Sequence, residues 1–118
     1  MVEDRITDGK RIAQLLASEL TGIETPPMDR VDVVDATPDA EPSPAGTEAY
    51  GVAVDGERIG TVTVVPDAAV LSLDGPVPAD FEPRDGLAVE SDGDQFAVRI
   101  EYGAAVKDAL DLLIETLQ

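Results

Sequence analysis

The nineteen residues from Ala49 to Asp67, AYGVAVDGERIGTVTVVPD, hold two runs rich in β-branched residues on either side of Asp55-Gly56. That dipeptide takes the positive φ angles of a tight two-residue turn at little cost, so the stretch predicts a β-hairpin. A two-residue turn would pair Val54 with Glu57, whereas a three-residue loop would shift every partner along both strands. A hairpin of this length needs further strands or a helix against its apolar face. The flanking chain supplies both patterns.

On the N-terminal side, Met1 to Gly22 predicts a helix, with Ile12, Ala13, Leu15, Leu16 and Leu20 on one face. Thr7 or Asp8 is its expected N-cap and Gly22 its left-handed C-cap, before an extended linker through Pro26-Pro27. Arg30 to Ala36 predicts a short strand. Thr37 to Thr47, with three prolines and no large apolar residue, is expected to be an exposed, mobile loop.

Ala68 to Leu73 predicts a strand returning antiparallel after Pro66-Asp67. Asp74 to Gly86 reads as an ordered cap pinned by Val77 and Phe81. A second hairpin follows, from Leu87 to Glu90 and Gln95 to Tyr102 around Ser91-Asp92-Gly93-Asp94; Phe96, Val98, Ile100 and Tyr102 alternate with Ala97, Arg99 and Glu101. Beyond Gly103 a helix runs to the end of the sequence. Val106, Leu110, Leu113 and Leu117 form its stripe, widened by Ala109 and Ile114, with Leu112 to one side. So broad an apolar surface suits burial or a second subunit. The fold class expected is α+β: a mainly antiparallel sheet of five or six strands with an N-terminal and a C-terminal helix on one face, as a single domain over residues 1–118.

Composition narrows the chemistry. The 118 residues include no cysteine and no histidine, which removes disulfides, thiolate chemistry, the commonest general base and the commonest zinc ligand. A formal net charge of −17, from 25 acidic and 8 basic residues, makes nucleic acid an unsuitable partner. No apolar run approaches a membrane span and the N-terminus lacks a secretory h-region, so a soluble cytoplasmic protein is expected.

The motifs point away from catalysis. Gly9-Lys10 lacks the upstream glycine, the following Ser or Thr and the preceding strand of a phosphate-binding loop. Asp29, Asp32 and Asp35, like Asp92-Gly93-Asp94, lack the ligand spacing of a calcium loop, and neighbouring carboxylates arise by composition in so acidic a chain. No G-x-S-x-G elbow surrounds any serine, and no aromatic platform suits a two-carboxylate glycosidase. Tyr50 and Tyr102 are expected to close the core with their hydroxyls at its rim. What stays unusual is Arg5, Lys10 and Arg11 at a helix N-terminus, where cations oppose the macrodipole. They either pair with Glu3, Asp4 and Asp8 or meet an anion or an acidic surface of a second subunit. With Leu112 they are the candidate interaction residues.

The segment TDGKRIAQLLASEL, followed by a small acidic β-rich body, resembles short uncharacterised proteins from haloarchaea. The acidic, Lys-poor style, with Lys only at positions 10 and 107, runs through the whole chain. The helix, sheet, helix layout is also loosely similar to small dimeric secretion-chaperone-like domains, which bind extended partner segments. The leading expectation is a non-enzymatic binding or adaptor protein of a halophile, homodimeric and without a cofactor. The alternative is a small carboxylate-based or divalent-metal-dependent enzyme or ligand-binding domain. If function lies on a surface, it is expected on the sheet face the helices leave open or where the C-terminal helix meets a partner.

Overall fold

A computed structural model describes residues 8–22, 28–37, 40–75, 86–92 and 94–117. The elements in order are helix α1 (Gly9–Gly22), a 3-10 turn (Met28–Arg30), strands β1 (Val31–Val34), β2 (Thr47–Val54), β3 (Glu57–Val65), β4 (Ala68–Asp74), β5 (Leu87–Asp92) and β6 (Gln95–Ile100), a second 3-10 turn (Gly103–Ala105), and helix α2 (Val106–Leu117). The six strands form one fully antiparallel sheet in the order β1-β2-β3-β4-β6-β5. Both helices pack on the same face.

The Asp55-Gly56 turn settles the register of the centre. Asp55 (φ 52°) and Gly56 (φ 83°) both take the left-handed conformation of a two-residue turn whose twist matches the strands. Val54 accordingly faces Glu57. The tip is held from outside the hairpin: the Asp55 N–H donates to the Arg30 carbonyl at 3.1 Å, and the Arg30 guanidinium donates to the Asp55 carboxylate at 3.1 Å. The second hairpin is tighter than its sequence suggests. Its strands extend until Asp92 faces Gln95, so two residues turn the chain where four were expected.

β4 and β5 are consecutive but not paired. The chain between them steps past one strand position, and β6 then returns to fill the gap between β4 and β5. Edges are left at β1 and β5, both short.

The core lies between this sheet and the helices. Ile12, Ala13, Leu16 and Leu20 of α1 are buried, at the spacings that one helical face produces. They share one core cluster with Val52, Val62, Val64, Leu71, Leu73, Phe96, Val98 and Ile100 from the sheet and with Leu110, Leu112 and Leu113 of α2. Tyr50 is buried as well, and its hydroxyl donates to the Ala13 carbonyl of α1 at 2.7 Å.

The start of α1 agrees with the sequence: Asp8 is its N-cap, accepting the Lys10 N–H at 3.0 Å, and Gly9 is the first helical residue; residues 1–7 lie outside the described residues. Three expectations change in detail. Gly22 is the last helical residue of α1 rather than a cap beyond it. The loop before β2 is partly fastened, since the Thr37 N–H donates to the Ala49 carbonyl at 2.8 Å and Ala40 is buried. Leu112 does not stand aside from the core: it is fully buried there, because Ala109, Leu112 and Leu113 all fall on the broad face that α2 turns inward. The expected pins Val77 and Phe81 fall outside the described residues.

Candidate functional site

Two places on the molecule combine shape with unusual chemistry. The first is the sheet face opposite the helices. Residues alternating with the core positions reach it: Thr61 and Thr63 of β3, Val70 and Ser72 of β4, Ala97 and Arg99 of β6; Gly51 and Ala53 of β2 lie alongside but are buried, Gly51 against the Arg58 guanidinium. Register aligns them in rows, Gly51–Thr61–Ser72–Ala97 and Thr63–Val70–Arg99. The spans Thr61–Val65, Ala68–Ser72 and Phe96–Ile100 contain no acidic residue at all, although acids make up 25 of 118 positions.

Two irregularities set the border of this face. Between Glu48 and Tyr50 on β2, and between the partners of Val52 and Ala53 on β3, the register slips by one residue. Each bulge reverses the alternation, so Glu48 and Arg58 share the open face although strict alternation would separate them from their neighbours. There Arg58 donates to Asp35 at 3.0 Å and to the Thr61 hydroxyl at 2.9 Å, and pairs with Glu48 at 3.3 Å. Arg99 is held by Asp67 at 2.8 Å and Glu101 at 3.5 Å. The two guanidinium side chains are 37% and 39% exposed, so these pairs orient the arginines more than they stabilise the fold. A hollow of about 180 Å³ lies beside Arg99, between Val70, Ala88, Ala97 and Glu90.

The second place is a cavity of about 250 Å³ between α1, the end of β1 and the loop that follows it. Buried Tyr50, Ala49 and Ala40 line its depth; Ala17 and Val33 flank it; Lys10, Gln14, Ala36 and Thr37 stand at the more exposed margin. The bond to Ala13 fixes the Tyr50 ring there, and burial pushes its phenol pKa above the usual tyrosine range.

Of the residues marked in the sequence, Lys10 is the one placed in a cavity wall. Its ammonium lies 3.9 Å from Glu41, whose side chain is 82% exposed. Arg11 is exposed on α1, and Arg5 lies outside the described residues. The cation cluster is therefore described only through Lys10 and Arg11, which differ in burial. Leu112 belongs to the core. Among the described residues no three acidic side chains group as a metal site, so Asp29, Asp32 and Asp35 form none. Arg58, Arg99 and the alanine-lined cavity carried no local motif. The acid-free spans were visible in the sequence, but that three of them lie side by side was not.

A family model, described as Family of unknown function (DUF7993), matches residues 1–118. The chain belongs to that family. No curated protein and no solved structure matches it. Membership in DUF7993 thus spans the whole sheet and both helices, and it leaves the two places described above as the guides to function. Among the described residues no helix is long and apolar enough to cross a membrane.

Proposed function

We propose that this protein is a non-enzymatic binding module that works as a homodimer, pairing through the open face of its sheet. The observation that carries this reading is the acid-free centre of that face in a chain of net charge −17. A merely solvated sheet face would draw its residues from the same acidic pool as the rest of the surface. Charge depletion at the centre with charges at the rim is the usual anatomy of a protein interface.

Self-association is favoured because each copy offers arginines beside an acidic rim, and because two such chains can approach closely only where carboxylates are missing. The acid-free centre, three strands at ~4.8 Å spacing by five residues at ~3.4 Å, covers roughly 14 by 17 Å, so an interface of the usual ~800 Å² per partner takes in the charged rim around it as well. The same acidic composition supports work in concentrated salt, within the cytoplasm of a halophile.

Light scattering behind size-exclusion chromatography at molar KCl tests the proposal. A dimer is expected for the natural chain and a monomer with an unchanged circular dichroism spectrum for Ser72→Glu, which brings like charges to the middle of the paired faces. A natural chain that stays monomeric at ~100 μM, a concentration at which a micromolar dimer would be mostly assembled, removes the reading. So does a dimer that survives Ser72→Glu.

A further inference from the structure

The register of the sheet sets opposite charges on the two sides of β4. Gly51, Thr61, Ser72, Ala97 and Glu90 stand side by side in one row, on β2, β3, β4, β6 and β5. Ser72 is the middle of that row. At one end stands the Glu90 carboxylate. At the other end the Arg58 guanidinium lies against Gly51, where an added Cβ would fall 2.7 Å from Nε and 2.8 Å from Cζ, so the glycine leaves the arginine its seat. The next row, Glu48, Thr63, Val70, Arg99 and Ala88, has Val70 in the middle and the signs exchanged: the acid is on the β2 side and the cation on β6.

Two such faces pack with their strands aligned about a two-fold axis lying between them, and that axis runs either along the strands or across them. An axis along β4 lays Ser72 over the partner's Ser72 and Val70 over the partner's Val70. It lays Glu90 over the partner's Gly51, where the partner's Arg58 is seated. Arg99 then stands over the partner's Thr63, one strand spacing of ~4.8 Å from the partner's Glu48. An axis across the strands does worse. On the first row it opposes Arg58 to the partner's Arg58, and on the second it opposes Arg99 to the partner's Arg99. Midway between the rows it keeps opposite charges in reach but sets Val70 against the partner's Ser72, which loses the central apolar contact.

We propose that two copies of this chain pair about a two-fold axis running along β4, with Arg58 meeting Glu90 of the partner subunit and Arg99 meeting Glu48 of the partner subunit. This rests on the sheet-face dimer proposed above and specifies its geometry. The new contacts add to the pairs each arginine makes in its own chain, with Asp35 and Glu48 for Arg58 and with Asp67 and Glu101 for Arg99. A guanidinium has five N–H donors, and a carboxylate accepts at both oxygens, so neither pair has to break.

The chain has no cysteine, so one introduced cysteine carries a spin label without background. Glu57→Cys and Pro66→Cys place labels at the two ends of β3, whose nine residues span ~30 Å. With sheets ~10 Å apart, an axis along β4 holds each label within ~15 Å of its copy in the dimer, read by dipolar EPR. An axis across the strands separates at least one of the two label pairs by ~30 Å, wherever it crosses. As a second readout, Arg99→Glu and Glu48→Arg should each weaken the dimer at least tenfold, and an equimolar mixture of the two chains should restore it, with circular dichroism unchanged throughout. A label pair near 30 Å, or a mixture that stays monomeric, in a protein whose dimer Ser72→Glu still dissociates, overturns this axis and leaves the sheet-face dimer standing. A natural chain that is monomeric, or a dimer indifferent to Ser72→Glu, overturns both.

Discussion

Tyr50 shows how one side chain can join two layers. Its ring fills space between β2 and α1, and its hydroxyl reaches the Ala13 carbonyl at 2.7 Å, so a strand and a helix far apart in the chain are tied by one neutral hydrogen bond. Such a bond contributes about 1 kcal/mol net. Because the phenol is buried, its pKa is raised in the folded state, and the unfolded chain loses its proton first as pH rises. The folded chain then binds more protons than the unfolded one, so this contribution to stability is complete below pH ~10 and falls above it, with a limiting slope of about 1.4 kcal/mol per pH unit. Tyr50→Phe should lose about 1 kcal/mol at neutral pH and become flatter than the natural chain between pH 9.5 and 11. Urea unfolding followed by circular dichroism across that range measures both, and parallel curves for the two proteins would contradict the assignment.

At the scale of elements, the position of α1 depends on how closely its first turn approaches the sheet. The Gly9 N–H donates to the Pro66 carbonyl at 3.4 Å, and a Cβ at Gly9 would run into the carbonyl oxygens of Val65 and Ala68. Those oxygens belong to the turn joining β3 to β4 and cannot swing aside as a flexible side chain could. At the other end of the same helix, a Cβ on Gly22 would meet nothing within 4 Å. One substitution therefore has opposite consequences at the two ends. Gly9→Ala should cost about 1–3 kcal/mol through overpacking, whereas Gly22→Ala should be neutral or stabilise by up to about 1 kcal/mol through helix propensity. Denaturant midpoints of the pair decide it; equal effects would mean that α1 does not dock through its N-terminal turn. The glycine before Lys10 is thus a packing residue, which accounts for Gly9-Lys10 without a nucleotide.

For the whole molecule the governing quantity is charge. The ion pairs resolved around Arg58, Arg99 and Arg30 are exposed, and salt weakens them. Repulsion among 25 acids opposed by only 8 cations acts the other way, because screening shortens its range from ~10 Å at 0.1 M salt to ~3 Å at 1 M. With so few cations the repulsive term dominates. The thermal midpoint should therefore rise between 0.1 and 2 M KCl, a salt chosen to limit surface exclusion of the kind sulfate produces. A midpoint that stays level or falls would show that the attractive pairs outweigh the repulsion.

Local pattern was enough for most of the elements. Alternation of period two placed the strands, the period of 3.6 placed both helices, and Asp55-Gly56 announced its own turn, since each of these signals is carried by residues close together in the chain. The antiparallel α+β architecture follows from burying those faces together. What needed the tertiary structure was everything set by residues distant in sequence. The insertion of β6 between β4 and β5 depends on which strand edges are free when the chain returns. The bulges that turn Glu48 and Arg58 to one face come from pairing between strands, and Leu112 is buried because the sheet below α2 is wide enough to cover it. The two surfaces of interest are of this second kind: an acid-free patch exists only once three strands lie in register, and Lys10 faces an alanine-lined hollow only once α1 is laid against β1 and β2.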